Sequence, residues 1–139
     1  MTAFLSDRLQ QVLFRHLEAD EGLVAQLTGI YDEMPEDAAL PCLTMGETTM
    51  EGANLKDISG TTITFTLFIL SDEPGQMQVK ELMGAVDACL HRFAPMVPGA
   101  RAGELTLAGA GVTRLSTENG SRYRGRMAYR VKLHEDAPA

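Results

Sequence analysis

The side chains whose types and spacing could do chemistry form a series of cations near the end of the chain. Residues 122–134 alternate almost without fault between apolar and basic side chains, a pattern typical of a β-strand with one buried face. Cations on one strand face repel each other unless something negative lies opposite. Such an array can contact nucleic-acid phosphates without regard to base sequence, or an acidic protein surface. Its members are Arg122, Arg124, Arg126, Arg130 and Lys132.

The charge distribution leaves two interpretations of this array open. The net charge is −7, but residues 1–91 carry four basic and fifteen acidic side chains, whereas residues 92–139 carry eight basic and four acidic ones. This asymmetry fits nucleic-acid contact, or a subunit whose one flank complements the opposite flank of its neighbour. Tyr123 and Tyr129 lie on the other face of the strand, which argues against stacking of single-stranded bases. We therefore interpret the five cations as candidate subunit-interface residues or as a phosphate-facing surface.

The remaining reactive side chains predict no catalytic or metal centre. The chain has no nucleophile elbow, phosphate-binding glycine loop or metalloprotease helix. Cys42 and Cys89 are interpreted as reduced, buried thiols, and the three histidines stand in no metal-ligand pattern. The acidic residues of segment 32–37 lack the ligand spacing of a calcium loop and are interpreted as a solvated turn. We expect no enzyme activity, no metal and no cofactor.

A second candidate site is the polar segment 48–60. It has few large apolar residues and contains Gly52 and Gly60, so we expect a long exposed hairpin loop. Its functional interpretation is a segment that becomes ordered when it docks on a partner ring. The candidate docking residues are Glu51, Asn54, Lys56 and Asp57.

The first half of the chain predicts helices followed by strands. Leucines at helical spacing indicate a helix over 5–18, with Ser6 or Asp7 as its N-cap. Asp20 is expected to cap a second, short helix over 23–27. Strands are predicted over 30–31, 40–47 and 61–71, the last one central.

The second half predicts one long helix followed by a hairpin. Residues 71–74 combine a capping side chain, acidic residues and a proline, which indicates a helix start, and the helical period runs on to Phe93. Strands over 104–107 and 112–115 are separated by a glycine-rich bulge or bend at 108–111. Asn119 and Gly120 favour a tight turn before the final strand.

These elements predict an α+β fold: a mostly antiparallel sheet of about four to five strands with helices packed on one face. A chain of 139 residues is expected to form a single domain over 1–139, with loop 48–60 and tail 135–139 mobile. The chain has no run of apolar residues long enough for a transmembrane helix and no signal-peptide pattern at its N-terminus, so we expect no membrane contact and assembly in the bacterial cytoplasm.

The order of these marks resembles the tail-terminator, or tail-completion, family of siphophages and gene transfer agents. The resemblance covers roughly residues 5–135. It rests on Ile30-Tyr31-Asp32-x-x-Pro35, on Leu40-Pro41-x-Leu43-Thr44-x-Gly46-Glu47, and on a closing strand with Tyr123-Arg124-Gly125-Arg126. The chain departs from the pattern at Cys42, where an aromatic residue is expected.

The resemblance implies a structural virion protein in the neck of a phage-like particle. Such proteins form a homo-oligomeric ring of about six subunits at the head-proximal end of the tail tube. The ring ends tube polymerisation and meets the head-tail connector or stopper protein, and double-stranded DNA passes through its channel. The alternatives are a neighbouring head-completion or stopper protein, a small nucleic-acid-binding module and a small hydrolase.

Overall fold

The computed structural model describes residues 5–54, 56, 58–118 and 120–135. This part of the chain forms three helices and a six-stranded sheet, so the predicted α+β class is confirmed. The elements in chain order are α1 (Ser6–Glu18), α2 (Glu21–Val24), β1 (Ile30–Tyr31), β2 (Cys42–Gly52), β3 (Gly60–Ser71), α3 (Met77–Leu90), β4 (Ala100–Ala102), β5 (Thr106–Thr117) and β6 (Gly120–Glu135).

The sheet has the order β1-β2-β3-β6, and both β4 and β5 lie along the far side of β6. All pairs are antiparallel except β1 and β2, which run parallel. The sequence did not predict β4, a strand of three residues that pairs with β6 between Leu133 and Glu135. Three residues carry too little alternation to be distinguished from a loop.

The core lies between one face of the sheet and the helices. On β3, residues Ile63, Phe65, Leu67 and Ile69 are almost completely buried, as their alternation predicted. Their partners on β6 are Val131, Tyr129, Met127 and Gly125 in that order, so the same face continues across both strands. Each fully buried aliphatic side chain contributes about 1.5–3 kcal/mol. The helices complete the core with Leu9, Leu13, Leu17, Val79, Leu82, Val86 and Leu90.

A glycine brings α3 close to the sheet. A Cβ atom on Gly125 would lie 2.7 Å from Met83 Sδ and 3.1 Å from Val79 Cγ2. The absence of a side chain on β6 at this point therefore lets the helix approach the strand. No described helix packs on the opposite face of the sheet, which is called the bare face below.

Two of the predicted helix starts are wrong. The N-cap position of α1 is Leu5, and no side chain caps the helix, so neither Ser6 nor Asp7 has that role. Ser71 ends β3 instead of starting a helix: its hydroxyl accepts the Glu73 N–H at 3.2 Å and donates to Gln78 Oε1 at 2.5 Å. The chain then turns at Gly75, with φ of 85°, and α3 begins only at Met77.

The remaining helix limits agree with the sequence in part. Asp20 caps α2 as predicted, because its Oδ1 accepts the Leu23 N–H at 3.0 Å, although α2 ends at Val24. The long helix ends at Leu90 and does not reach Phe93. Arg92 follows with φ of 59°, a left-handed conformation that terminates the helical path.

The predicted loop 48–60 is wrong in its first half. Strand β2 continues to Gly52 and stays paired with β3 as far as Gly52 and Thr61, so only residues 53–59 connect the two strands. Gly46 and Glu47 form a bulge opposite β3. Residues 48–52 were predicted as a loop because they contain threonine and glycine and few apolar residues.

The glycine-rich segment forms part of one continuous strand, β5, where two short strands were predicted. Its register shifts between Leu107 and Gly109, so the predicted bulge is confirmed at this position. Strand β5 then runs antiparallel to β6 up to the pair Thr117 and Gly120, and Gly120 has φ of 123°. Asn119, the other residue of the predicted turn, and residues 136–139 of the predicted tail lie outside the described residues.

Candidate functional site

The predicted cations lie on the bare face of the sheet, along β6. Arg126, Arg130 and Lys132 are exposed there. Their neighbours on β3 are Phe68, Thr64 and Thr62 in that order. The neighbours on β5 are small, since Arg126 lies opposite Gly111 and Arg130 opposite Thr106. We call the five cations of β6 the basic face: Arg122, Arg124, Arg126, Arg130 and Lys132.

Two members of the basic face, Arg122 and Arg124, are partly buried, whereas the other three are exposed. The guanidinium carbon of Arg124 lies 4.7 Å from the centroid of the Phe68 ring, within the range of a cation–π interaction. Arg124 Nε is buried without a hydrogen-bond partner in the described part of the chain. Arg122 is partly buried at the end of the strand, opposite Leu115. The structure therefore divides the predicted array into an open group of three and a packed pair.

The cations of the basic face have no carboxylate partner among the residues that the structure describes. An ion pair elsewhere, Arg92 Nε to Glu104 Oε2 at 3.1 Å, joins two exposed side chains and leaves the basic face untouched. The described carboxylates of the N-terminal part thus form no ion pair with these cations within one subunit. Three exposed, unpaired cations on one strand repel each other and favour an external anion.

Acidic side chains lie at the opposite side of the sheet. Strand β2 carries Glu47 and Glu51, both exposed, and the segment 32–37 that precedes it holds four further carboxylates. Glu51 belongs to the same cross-strand row as Thr62 and Lys132, with β3 between the two charges. Across its width, the sheet is therefore acidic on the β2 side and basic on the β6 side.

The candidate docking residues do not form one cluster. Glu51 is part of β2, whereas Asn54 closes the connection between β2 and β3, because its Oδ1 accepts the Gly60 N–H at 3.0 Å. Lys56 has φ of 46°, and Asp57 lies outside the described residues. The Ala53 carbonyl is also hydrogen-bonded to the His134 ring at 3.1 Å, which ties this connection to the end of β6.

The two cysteines offer no thiolate nucleophile at neutral pH. Burial, followed by the neighbouring Asp20 carboxylate, raises the pKa of the Cys89 thiol to about 11. Burial also raises the pKa of the Cys42 thiol. His16 lies near Cys89, but its Nε2 contacts the Cys89 carbonyl at 2.9 Å and its ring stacks on Phe93, with centroids 3.6 Å apart. These side chains hold α1 against α3.

A buried hydroxyl also has a structural partner. Tyr129 on β6 donates to Asp87 Oδ1 on α3 at 2.7 Å, and burial together with this hydrogen bond raises the pKa of the tyrosine. Within the described ranges, no three His, Cys, Asp or Glu side chains are placed to hold a metal ion. No helix in these ranges has the length and apolar character needed to cross a membrane.

The sequence did not reveal two open strand edges. Strand β1 pairs only with Leu43 and Thr44, so no described strand lies along β2 from Met45 to Gly52. On the other side of the sheet, no described strand lies beyond β5. Residues 106–117 contain no proline, lysine or carboxylate, which commonly protect an edge, so the composition of β5 did not mark it as one.

A family model and two solved structures are similar to this chain. The family model described as tail completion protein gp17 matches residues 11–134. A chain of the virion of a native gene transfer agent particle superposes with a TM-score of 0.83 at 22% identity, covering 94% of this chain and 97% of that one. The bacteriophage SPP1 gp17 protein superposes with a TM-score of 0.59 at 17% identity, covering 96% and 93%. No curated protein sequence matches significantly.

Proposed function

The chain belongs to the tail completion protein gp17 family, and on that premise we propose that it closes the head-proximal end of a phage-like tail tube as a homo-oligomeric ring. The ring ends polymerisation of the tube protein and presents its other side to the head-tail connector or stopper protein. Double-stranded DNA passes through its channel. The observation that carries this function is the family match over residues 11–134, together with tail and particle relatives of the same fold.

The charge pattern of the sheet supports head-to-tail contact between subunits, which is the type of contact that builds a ring. A ring forms when one side of a subunit contacts the opposite side of the next and the rotation closes. In this chain the β2 side of the sheet is acidic and the β6 side is basic, with unpaired cations at Arg126, Arg130 and Lys132. Unlike charges on opposite sides favour head-to-tail contact over contact between two identical sides.

The basic face supports a role in the channel. The helices cover one face of the sheet, and the exposed cations lie on the bare face. A ring whose helices point outward directs the bare face toward its axis. Arg126, Arg130 and Lys132 then contact DNA phosphates without reading the bases, which suits passage of any sequence. Arg122 and Arg124 lie at the other end of the basic face, away from the connection between β2 and β3, since Leu70 pairs with Arg124 whereas Gly60 pairs with His134.

The connection between β2 and β3 is the proposed contact with the head-tail connector or stopper protein. Asn54 and Lys56 lie in this connection, and Glu51 is the penultimate residue of β2 before it. The hydrogen bond from Gly60 N–H to Asn54 and the contact of His134 with Ala53 hold both ends of the connection on the sheet. A short, anchored connection at one end of the strands is suited to docking on a connector ring without rearrangement of the sheet.

The decisive experiment mixes the purified chain with polymerising tail tube protein from the same genome. We expect tubes to become shorter as the ratio of this chain to tube protein rises, and electron microscopy to show added density at one end only. Unchanged tube lengths with bare ends would contradict tail closure. Binding to purified connector without any effect on tubes would instead support a neighbouring neck component.

A further inference from the structure

The open edges of β5 and β2 have properties that fit each other. We propose that the β5 edge of one subunit pairs with the β2 edge of a second copy, so that neighbouring subunits share one continuous sheet. The inference rests on the proposed ring and specifies the contact that builds it. The partner of each edge is a second copy of this chain. The β2 edge carries carboxylates, the β5 edge has none and lies beside cations, and the two strands run in opposite directions.

The β5 edge lacks the usual protection against strand pairing. Strand β5 has twelve residues, and most of them are exposed. Beyond the bulge at Leu107 and Gly109, its register with β6 continues without interruption to Thr117. Its one charged side chain, Arg114, donates to Ser121 Oγ from Nε at 3.0 Å and from Nη2 at 2.8 Å, so it is held toward β6. Backbone groups on an open edge of this length recruit another strand.

The β2 edge is open but selective. From Met45 to Gly52 it is free of β1, and it carries Glu47 in a bulge and the exposed Glu51. Two β2 edges brought together would place carboxylates near carboxylates, which is destabilising. A β5 edge brings no carboxylate within the strand and adjoins the cations of β6. Charge therefore favours the pairing of β2 with β5 over the pairing of β2 with itself.

The strand directions allow this pairing without inverting a subunit. Strand β2 is antiparallel to β3, β3 to β6, and β6 to β5, so β5 and β2 run in opposite directions within one sheet. In a ring whose axis lies roughly along the strands, each copy keeps its strand direction. The β5 strand of one copy then meets the β2 strand of the next in antiparallel orientation, which is the stronger type of pairing.

Exposed apolar side chains at both edges support the same contact. Leu107 on β5 is 44% exposed and Met50 on β2 is 40% exposed. Both belong to the helix-covered face, since Leu107 pairs with Tyr129 and Met50 pairs with Ile63. A neighbouring strand at either edge would cover these side chains and extend the core across the junction.

The test is cross-linking with engineered cysteines on tubes capped by the protein. Thr113→Cys on β5 and Thr49→Cys on β2 are both at exposed positions, and Cys89→Ala removes the half-buried native thiol. A short bismaleimide tolerates small differences in register. We expect the double variant to give a ladder up to the closed ring in denaturing gels, and each single variant to remain monomeric.

Three results would overturn the pairing. Capped tubes that yield no ladder from the double variant would exclude it and leave tail closure intact. Efficient dimers from Thr113→Cys alone would show that β5 pairs with β5. If no variant caps tubes, the proposed function fails, and the edge pairing is then tested by cross-linking the free protein at high concentration. A ladder from the double variant supports edge pairing. The absence of a ladder rejects it.

Discussion

Arg124 lies over the ring of Phe68, with 4.7 Å between the guanidinium carbon and the ring centroid. The contact joins β6 to β3 on the bare face and removes this cation from the open group. We expect Arg124→Gln to lower the free energy of unfolding by about 0.5–2 kcal/mol, because the cation–π contact and its packing are lost. Urea unfolding measures the change. Arg126→Gln on the same strand is the control and should change stability by less than about 0.5 kcal/mol.

Gly46 lies next to the same aromatic ring. A Cβ atom at this position would collide with Phe68 Cε2 and lie 2.9 Å from Phe68 Cδ2. We expect Gly46→Ala to destabilise the fold by about 1–3 kcal/mol, since the ring must move. Gly52→Ala is a matched control in the same strand, because no atom lies within 4 Å of its Cβ position. Equal thermal unfolding of the two variants would contradict this account.

Tyr129 donates its hydroxyl proton to Asp87 between the sheet and α3. We expect Tyr129→Phe to lower the free energy of unfolding by about 1–2 kcal/mol, because a partly buried carboxylate loses its donor. The variant keeps the ring and its contact with Phe65, whose centroid lies 5.8 Å away, so packing is conserved. Chemical unfolding at neutral pH measures the change, and an unaltered midpoint would show that water replaces the hydroxyl.

The raised pKa of Cys89 predicts slow alkylation. The thiolate is the reactive form, so with a pKa of about 11 this thiol should react with iodoacetamide at pH 8 more than about a hundredfold more slowly than an ordinary thiol. A Cys42→Ala variant isolates the site, and the same protein in urea provides the ordinary rate. A half-maximal rate near pH 8.5 in the folded protein would refute the prediction.

The same thiol gives stability a defined dependence on pH. The folded state keeps the thiol proton to higher pH than the unfolded chain, whose thiol has a pKa near 9.0. The contribution of Cys89 is therefore complete below pH 9 and is lost as the pH rises toward 11. Cys89→Ala should remove this part of the alkaline loss, measured as the difference in unfolding midpoint between pH 8 and pH 10.5.

The exposed cations lead to a prediction about DNA contact in the proposed channel. At protein concentrations that cap every tube, we expect Arg130→Gln combined with Lys132→Gln to weaken co-sedimentation of a short DNA duplex with the capped tubes, with a reduced dependence on salt. The control is Arg15→Gln with Lys80→Gln, which removes the same charge from exposed helix positions. Equal losses in both double variants would indicate a non-specific effect of net charge.

The alternation of apolar and polar residues made the central strands predictable from sequence. The edge strand β2 and the turn after β3 were not predictable in this way. Ile63 to Ile69 and the cations of β6 alternate because each strand has one core face and one bare face, so sequence was sufficient there. The second half of β2 carries threonine and glycine because it lies at an edge with little to bury, and this composition resembles a loop. Ser71 and Pro74 were assigned to a helix because the same residue types also form the turn after β3.

The site was predictable only in part for a related reason. The spacing of the five cations fixed their common face, but the contact of Arg124 with Phe68 depends on the register between β6 and β3, which a single strand does not encode. The open edges depend on which strand ends the sheet. That property arises from the whole topology, and neither Met45 nor Thr113 carries a local mark of it.

If subunits pair through their β5 and β2 edges as proposed, the small strand β1 limits the vertical position of the neighbouring subunit. It occupies β2 at Leu43 and Thr44 and leaves the edge open only beyond them. A strand arriving from the next subunit cannot slide past this obstruction, so the vertical offset between neighbours has a limit at one end. A uniform offset near zero lets the last subunit meet the first at the same level. In that pairing, the two residues of β1 favour a closed planar ring over an open helical filament.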